Sequence, residues 1–128
     1  MRHTFRKNER LCSRTLIETL FEKGQGATFF PLRVVWMETP IHQPVPAQVA
    51  FSVPKRKFKK AVHRNRIKRL MREVYRLSKH ELYQRIGDRQ FVVMIIFIGV
   101  EEPSLESLDK AWQKFISKLP QNIDHQTK

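Results

Sequence analysis

The chain has 128 residues, with 25 Lys and Arg against 12 Asp and Glu, giving a net charge of +13 at neutral pH. Hydrophobic residues make up 41% of it, including nine Phe and two Trp, which excludes whole-chain disorder and predicts one domain over 1–128, ordered across about 8–120 with a polar tail at 121–128. The single cysteine, Cys12, excludes an internal disulfide and a cysteine zinc site, and the longest apolar run, 91–100, falls short of the roughly 20 residues of a spanning helix; with a charged N-terminus, this predicts a cytoplasmic protein without membrane contact.

In chain order, 13–23 is predicted to be a helix, with Leu16, Ile17, Leu20 and Phe21 on one stripe. Thr15 with Glu18 fits a capping box, and Ser13 is the alternative cap. Gly24 and Gly26 stop the helix. Residues 27–39 are rich in aromatic and β-branched side chains and read as a strand, with Pro31 marking a bulge or an edge position. Three prolines make 40–46 a loop. A second strand follows at 47–53, with Val49, Phe51 and Val53 on one face and Ala50 and Ser52 on the other.

A second helix is expected over 61–84. At 100° per residue, Ile67, Leu70, Met71, Val74 and Leu77 fall on one side. Arg64, Asn65, Lys68, Arg69, Arg72 and Arg76 fall on the other. The run 91–98 reads as a central strand buried on both faces. A last helix over 104–119 begins at Ser104 and carries Leu105, Leu108, Trp112, Phe115, Ile116 and Leu119 on its apolar side. The resulting class is α+β: a two-layer sandwich of three helices on a small, mostly antiparallel sheet, in the order αββ(β)αβα, with the bracketed strand left open.

The charge is not spread evenly. Residues 55–73 carry ten basic side chains and one acid, and residues 1–14 carry five and one. The remaining segments nearly cancel. Such a block repels itself without a polyanion, so Lys55, Arg56, Lys57, Lys59, Lys60, Arg64, Asn65, Arg66, Lys68, Arg69 and Arg72 are the candidate nucleic-acid contacts. Arg64, Lys68 and Arg72 form one rail at i, i+4 and i+8, with Asn65 and Arg69 beside it. Arg64 and Arg66 sit where the helix dipole disfavours cations, which points to a ligand. Phe58 is the expected anchor of the basic connector, and His63 adjoins the same face.

Catalytic patterns fail. The four glycines are scattered, His80-Glu81 lacks a second metalloprotease histidine, and the adjacent carboxylates Glu101-Glu102 read as charge at the start of a helix. No carboxylate cluster accompanies the basic face, so no catalytic residue is assigned to the protein and no metal site is assigned with it.

The stretch Arg64-Asn65-Arg66-Ile67-Lys68-Arg69, with Arg72-Glu73 after it and Phe51-Ser52-Val53-Pro54-Lys55-Arg56 before it, resembles the signature of the bacterial ribonuclease P protein subunit. The resemblance extends from Leu20-Phe21-Glu22-Lys23-Gly24 to Phe91-Val92-Val93, and covers about 8–119. It implies a small basic protein, monomeric apart from RNA, that binds the catalytic ribonuclease P RNA and the 5′ leader of precursor tRNA. It implies that the RNA cleaves the leader, with Mg²⁺ held mainly by the RNA and the substrate. It also implies a left-handed βαβ crossover, against the general right-handed rule. Ile17, Phe21, Val35 and Ser52 match the leader cleft approximately. Ile17 and Val35 stand where the family often carries aromatics, and Trp36 or Phe29 is the expected substitute. The rivals are another RNA-binding or ribosomal protein and a membrane-surface helix, which would need an exposed apolar face.

Overall fold

The computed structural model describes residues 7–119, so the polar tail at 121–128 lies outside the described residues. A short 3-10 turn at Lys7–Glu9 leads into α1 (Arg14–Lys23), β1 (Gln25–Phe29), β2 (Leu32–Glu38), β3 (Ala47–Ser52), α2 (Ala61–Ile86), β4 (Phe91–Phe97) and α3 (Leu105–Lys118). The order is αβββαβα, and the third strand is present. Residues 27–39 are therefore a hairpin and not one strand. β1 and β2 pair antiparallel from Gln25↔Trp36 to Phe29↔Leu32, and the turn holds a cis Phe30–Pro31 bond. Proline cannot donate to a ladder, so the chain reverses where one strand was expected to continue.

The sheet runs β1-β2-β4-β3, with β3–β4 parallel and the other pairs antiparallel. β4 is central and almost wholly buried, as its unbroken apolar run demands. Strand alternation sorts its side chains. Phe91, Val93, Ile95 and Phe97 join Leu32, Val34, Trp36 and Val49 under α2 and α3. Val92 and Met94 join Val35, Leu11 and Leu20 on the opposite face. The main sandwich is thus α2 and α3 on the sheet, with α1 laid across part of the other face.

Local chemistry fixes the helix ends. Ser13, not Thr15, caps α1, its Oγ accepting from the Leu16 amide at 3.2 Å. A side chain on Gly24 would place its Cβ 2.4 Å from the Leu20 carbonyl, so only glycine lets the chain leave α1 this closely. Ser104 caps α3, accepting from the Ser107 amide at 3.1 Å. Two apolar assignments fail: Leu77 is 44% exposed and Leu105 is 41% exposed. Each lies at the margin of its stripe, and the α2 stripe instead continues through Tyr75, Ser78, Lys79, Leu82 and Ile86.

Candidate nucleic-acid interface

β3 ends at Ser52, and the connector 53–60 carries Lys55, Arg56, Lys57, Lys59 and Lys60 to the start of α2. Phe58 anchors that connector as expected, with its ring 5.8 Å from that of Phe97. Lys57 Nζ donates to the Ile98 carbonyl at 3.0 Å, tying the connector to the exit of β4. Arg64 reaches back, its Nη1 donating to the Phe58 and Lys59 carbonyls at 2.7 and 2.9 Å. The α2 N-terminus has no side-chain cap and no acid in its first turn.

Three of the eleven candidates are therefore engaged inside the protein. Lys57 and Arg64 brace the connector. Arg66 turns away from the rail, its Nη1 donating to both oxygens of Glu102 at 3.1 Å. His63 Nδ1 meets the same carboxylate at 2.7 Å. These hydrogen bonds, His63 first and Arg66 second, hold the Glu102 carboxyl below its usual range. The Arg66 side chain thus has a protein partner at the position where the helix dipole pointed to a ligand. Arg76, placed with the cationic face by its spacing, pairs with Glu73 at 2.6 Å, and that hydrogen bond lowers the Glu73 pKa.

Lys55, Arg56, Lys59, Lys60, Asn65, Lys68, Arg69 and Arg72 make no side-chain hydrogen bond or ion pair among the described residues. Asn65, Arg69 and Arg72 are exposed, Lys68 is half-buried, and the stripe behind them, Ile67, Met71 and Val74, is buried in the core. The row runs from the connector along α2, and no acidic residue interrupts it in sequence until Glu73. Such a row of unengaged cations on a rigid helix suits a phosphodiester chain.

The second candidate group divides. Ile17 packs half-buried with the cluster of Val35, Val92 and Met94, while Phe21 on the same helix is 54% exposed. Ser52 and Ala50 lie on this face of β3, as does Ile96 of β4 opposite Ser52. Trp36 is a correction: it lies on the other face, 7% exposed, with its ring edge-on to Phe115 at 5.2 Å. Phe29 also points there, against Phe115 at 6.2 Å. Adjacent strand residues face opposite ways, so Val35 and Trp36 cannot share one surface. Val35 is itself only 7% exposed, floor more than contact. Arg33, unremarked in the sequence, stands exposed on the open face opposite Ile96, its Nη1 donating to Thr28 Oγ1 at 3.2 Å. Its two-residue offset from Val35 is the signal that finds it. Glu102, expected to be charge at the start of a helix, instead binds Arg66 and His63, 36 and 39 positions away, and the first-turn acid of α3 is Glu106.

No group of three or more His, Cys, Asp or Glu side chains among the described residues could hold a metal ion. No helix among them is long and apolar enough to cross a membrane.

A protein-family model described as Ribonuclease P matches residues 5–120. A ribonuclease P protein component from Porphyromonas gingivalis is 38% identical over 119 residues, covering 91% of this chain and 87% of that relative. Another from Chlorobium phaeobacteroides is 33% identical over 133 residues, covering 94% and 88%. The solved RNase P protein from Thermotoga maritima superposes with a TM-score of 0.69 at 18% identity, over 86% of this chain and 96% of that one. The Staphylococcus aureus RNase P protein gives 0.65 at 18% identity, over 87% and 96%. At such identity the two structures speak to the fold.

Proposed function

The chain belongs to the bacterial ribonuclease P protein family, and from that premise we propose that it is the RNA-binding subunit of ribonuclease P, assisting removal of the 5′ leader from precursor tRNA. The observation that carries the RNA-binding reading is the row of eight unengaged polar side chains from Lys55 to Arg72. In this reading the row binds the catalytic RNA. The open sheet face beside α1, with Phe21, Arg33, Ser52 and Ile96, receives the leader.

The division of labour in this reading comes from the family resemblance. The family resemblance implies that the RNA performs the hydrolysis and that Mg²⁺ is held mainly by the RNA and the substrate, and the reading adopts both. The protein supplies position and charge neutralisation. The membrane-surface rival loses its physical basis, because the apolar stripe of α2 is spent on the core.

The test is reconstitution. The purified protein, mixed with a bacterial ribonuclease P RNA at low Mg²⁺, is expected to stimulate precursor tRNA cleavage at the mature 5′ end. Protein without RNA is expected to leave precursor tRNA intact. Metal-dependent cleavage by RNA-free protein, abolished by Glu73→Gln or Glu101→Gln, would overturn the assignment of catalysis. Failure to stimulate would overturn the function.

A further inference from the structure

Lys7, Arg10 and Arg14, the described cations of the first basic block, lie outside the row from Lys55 to Arg72. The described portion of that block is held firmly. The Leu11 amide donates to the Val49 carbonyl at 3.0 Å, and Gln48 Nε2 donates to the Asn8 carbonyl at 3.0 Å. Glu9, the only acid of the block, points inward, its Oε2 meeting Lys79 Nζ at 2.7 Å and Tyr83 Oη at 2.5 Å. Burial of that carboxylate leaves the arm presenting Lys7 and Arg10 outward, both exposed. The cations are thus fixed in place by a buried pair and a strand-like bridge, unlike charges on a free tail.

They line two adjoining hollows of 430 and 520 Å³, which share Arg10, Cys12, Gln43 and Gln48. Leu16 of α1 and Ile41 of the loop before β3 supply an apolar wall, and no carboxylate lines either hollow. A groove of this size, with cations on its rim, amide side chains within and an apolar wall, matches an unstacked nucleotide. Gln48 and Ser52 project from the same face of β3, about 13 Å apart at the usual rise per residue. Ala50 lies between them, packed against the cluster that seats α1. The groove therefore shares one sheet face and one helix with the leader surface, whereas the α2 row belongs to the other layer.

We propose that this groove is a second RNA contact, taking leader nucleotides of the precursor tRNA that lie beyond those at the Phe21–Ser52 face. The inference rests on the proposed function, which supplies the leader. A single strand is flexible enough to follow the sheet face past α1, and its phosphates would meet Lys7 and Arg10. Gln43 and Gln48 would meet base edges.

The test uses holoenzyme assembled from full-length protein and a bacterial ribonuclease P RNA. Two precursor tRNAs are compared, one with a leader of one or two nucleotides and one with a leader several times longer. Lys7→Ala is expected to weaken binding of the long-leader precursor by about fivefold and to make its salt slope shallower by about 0.7, the single-strand value for one phosphate. Gln43→Glu, on the exposed loop that faces the arm across the groove, is expected to weaken the same precursor without lowering the melting temperature. The short-leader precursor and the RNA subunit should bind both variants as they bind the unaltered protein. Equal losses for both precursors, or a loss confined to the RNA subunit, would overturn the leader assignment, and no change in any arm would overturn the groove. Arg69→Ala serves as the control. If it too leaves RNA binding unchanged, the proposed function has failed and not merely this extension of it.

Discussion

Phe21 and Glu102 show how much one side chain's surroundings decide. Phe21 is 54% exposed on a helix whose neighbouring Leu20 is fully buried, so packing does not explain an aromatic there. Phe21→Ala should change stability by no more than about 0.5 kcal/mol, as for other surface substitutions. If Phe21 stacks on a leader base, precursor affinity should fall by about 1–3 kcal/mol. Mature tRNA has no leader, so its affinity should stay unchanged. Thermal melts beside binding to both RNAs decide it, and equal losses with a lowered melting temperature would return Phe21 to the core. Glu102 makes a prediction about acid. Its pKa is depressed below the ordinary 4.5 by His63 and Arg66, so its stabilising effect is present above that value and fades as pH falls through the folded value. Melting temperature of the unaltered protein should therefore drop in that acid window, beyond the general loss. Glu102→Gln should start lower near neutrality and lose less there. Parallel curves for the two proteins would show that the clamp contributes nothing.

Among the elements, the N-terminal arm depends on α2 through one buried pair. The Lys79 and Glu9 side chains are 8% and 5% exposed. Burial, then the Glu9 hydrogen bond, also holds the Tyr83 phenol above its ordinary range, so it remains a donor. Lys79→Ala leaves a carboxylate buried without its ammonium and should cost about 3–5 kcal/mol, whereas replacing Glu9 and Lys79 together by Leu and Met should recover most of it. Denaturant melts of the two variants measure the difference, and equal destabilisation would show that packing, not charge, dominates. This pair was hidden in the sequence, because its members are 70 positions apart and each resembles an ordinary surface residue. α2 and β3 were legible from strong periodicity and β4 from its unbroken apolar run, with their ends marked by Pro54, Gly87 and the turn before Phe91. The β1–β2 hairpin was not, since residues 27–39 are β-favouring throughout and only Pro31 marks the reversal. Missing the reversal did not itself misplace Trp36. Alternation along β2 already separates it from Val35, and the aromatic type was weighed above the register. For the basic surface, composition and helical spacing located the cations on the side of α2 away from the core, but not which of them the protein uses itself. Arg64 binds carbonyls of the connector, and backbone acceptors leave no trace in a residue pattern.

Taken whole, the molecule places seven unengaged cations in a row along the connector and α2, and spends others as struts. Seven of the basic residues between Lys55 and Arg72 have no partner among the described residues: Lys55, Arg56, Lys59, Lys60, Lys68, Arg69 and Arg72. If each meets one phosphate, the logarithm of the affinity for the catalytic RNA should fall with the logarithm of salt concentration at a slope of roughly −5 to −6, from about 0.7–0.9 per contact. Lys57, Arg64 and Arg66 should not add to it, since each already has an acceptor within the protein. The variants then separate two roles that spacing alone assigns alike. Arg69→Ala should make the slope shallower by about one and leave the melting temperature unchanged. Arg64→Ala should leave two connector carbonyls without their donor, lower the melting temperature, and weaken RNA binding mainly by loosening Lys55 to Lys60. Its slope should therefore change less than its affinity. Titrations across a salt series with both variants measure all of this. A total slope shallower than −2 would mean that RNA binds elsewhere, and a full unit of slope lost in Arg64→Ala would mean that its guanidinium leaves the connector for a phosphate.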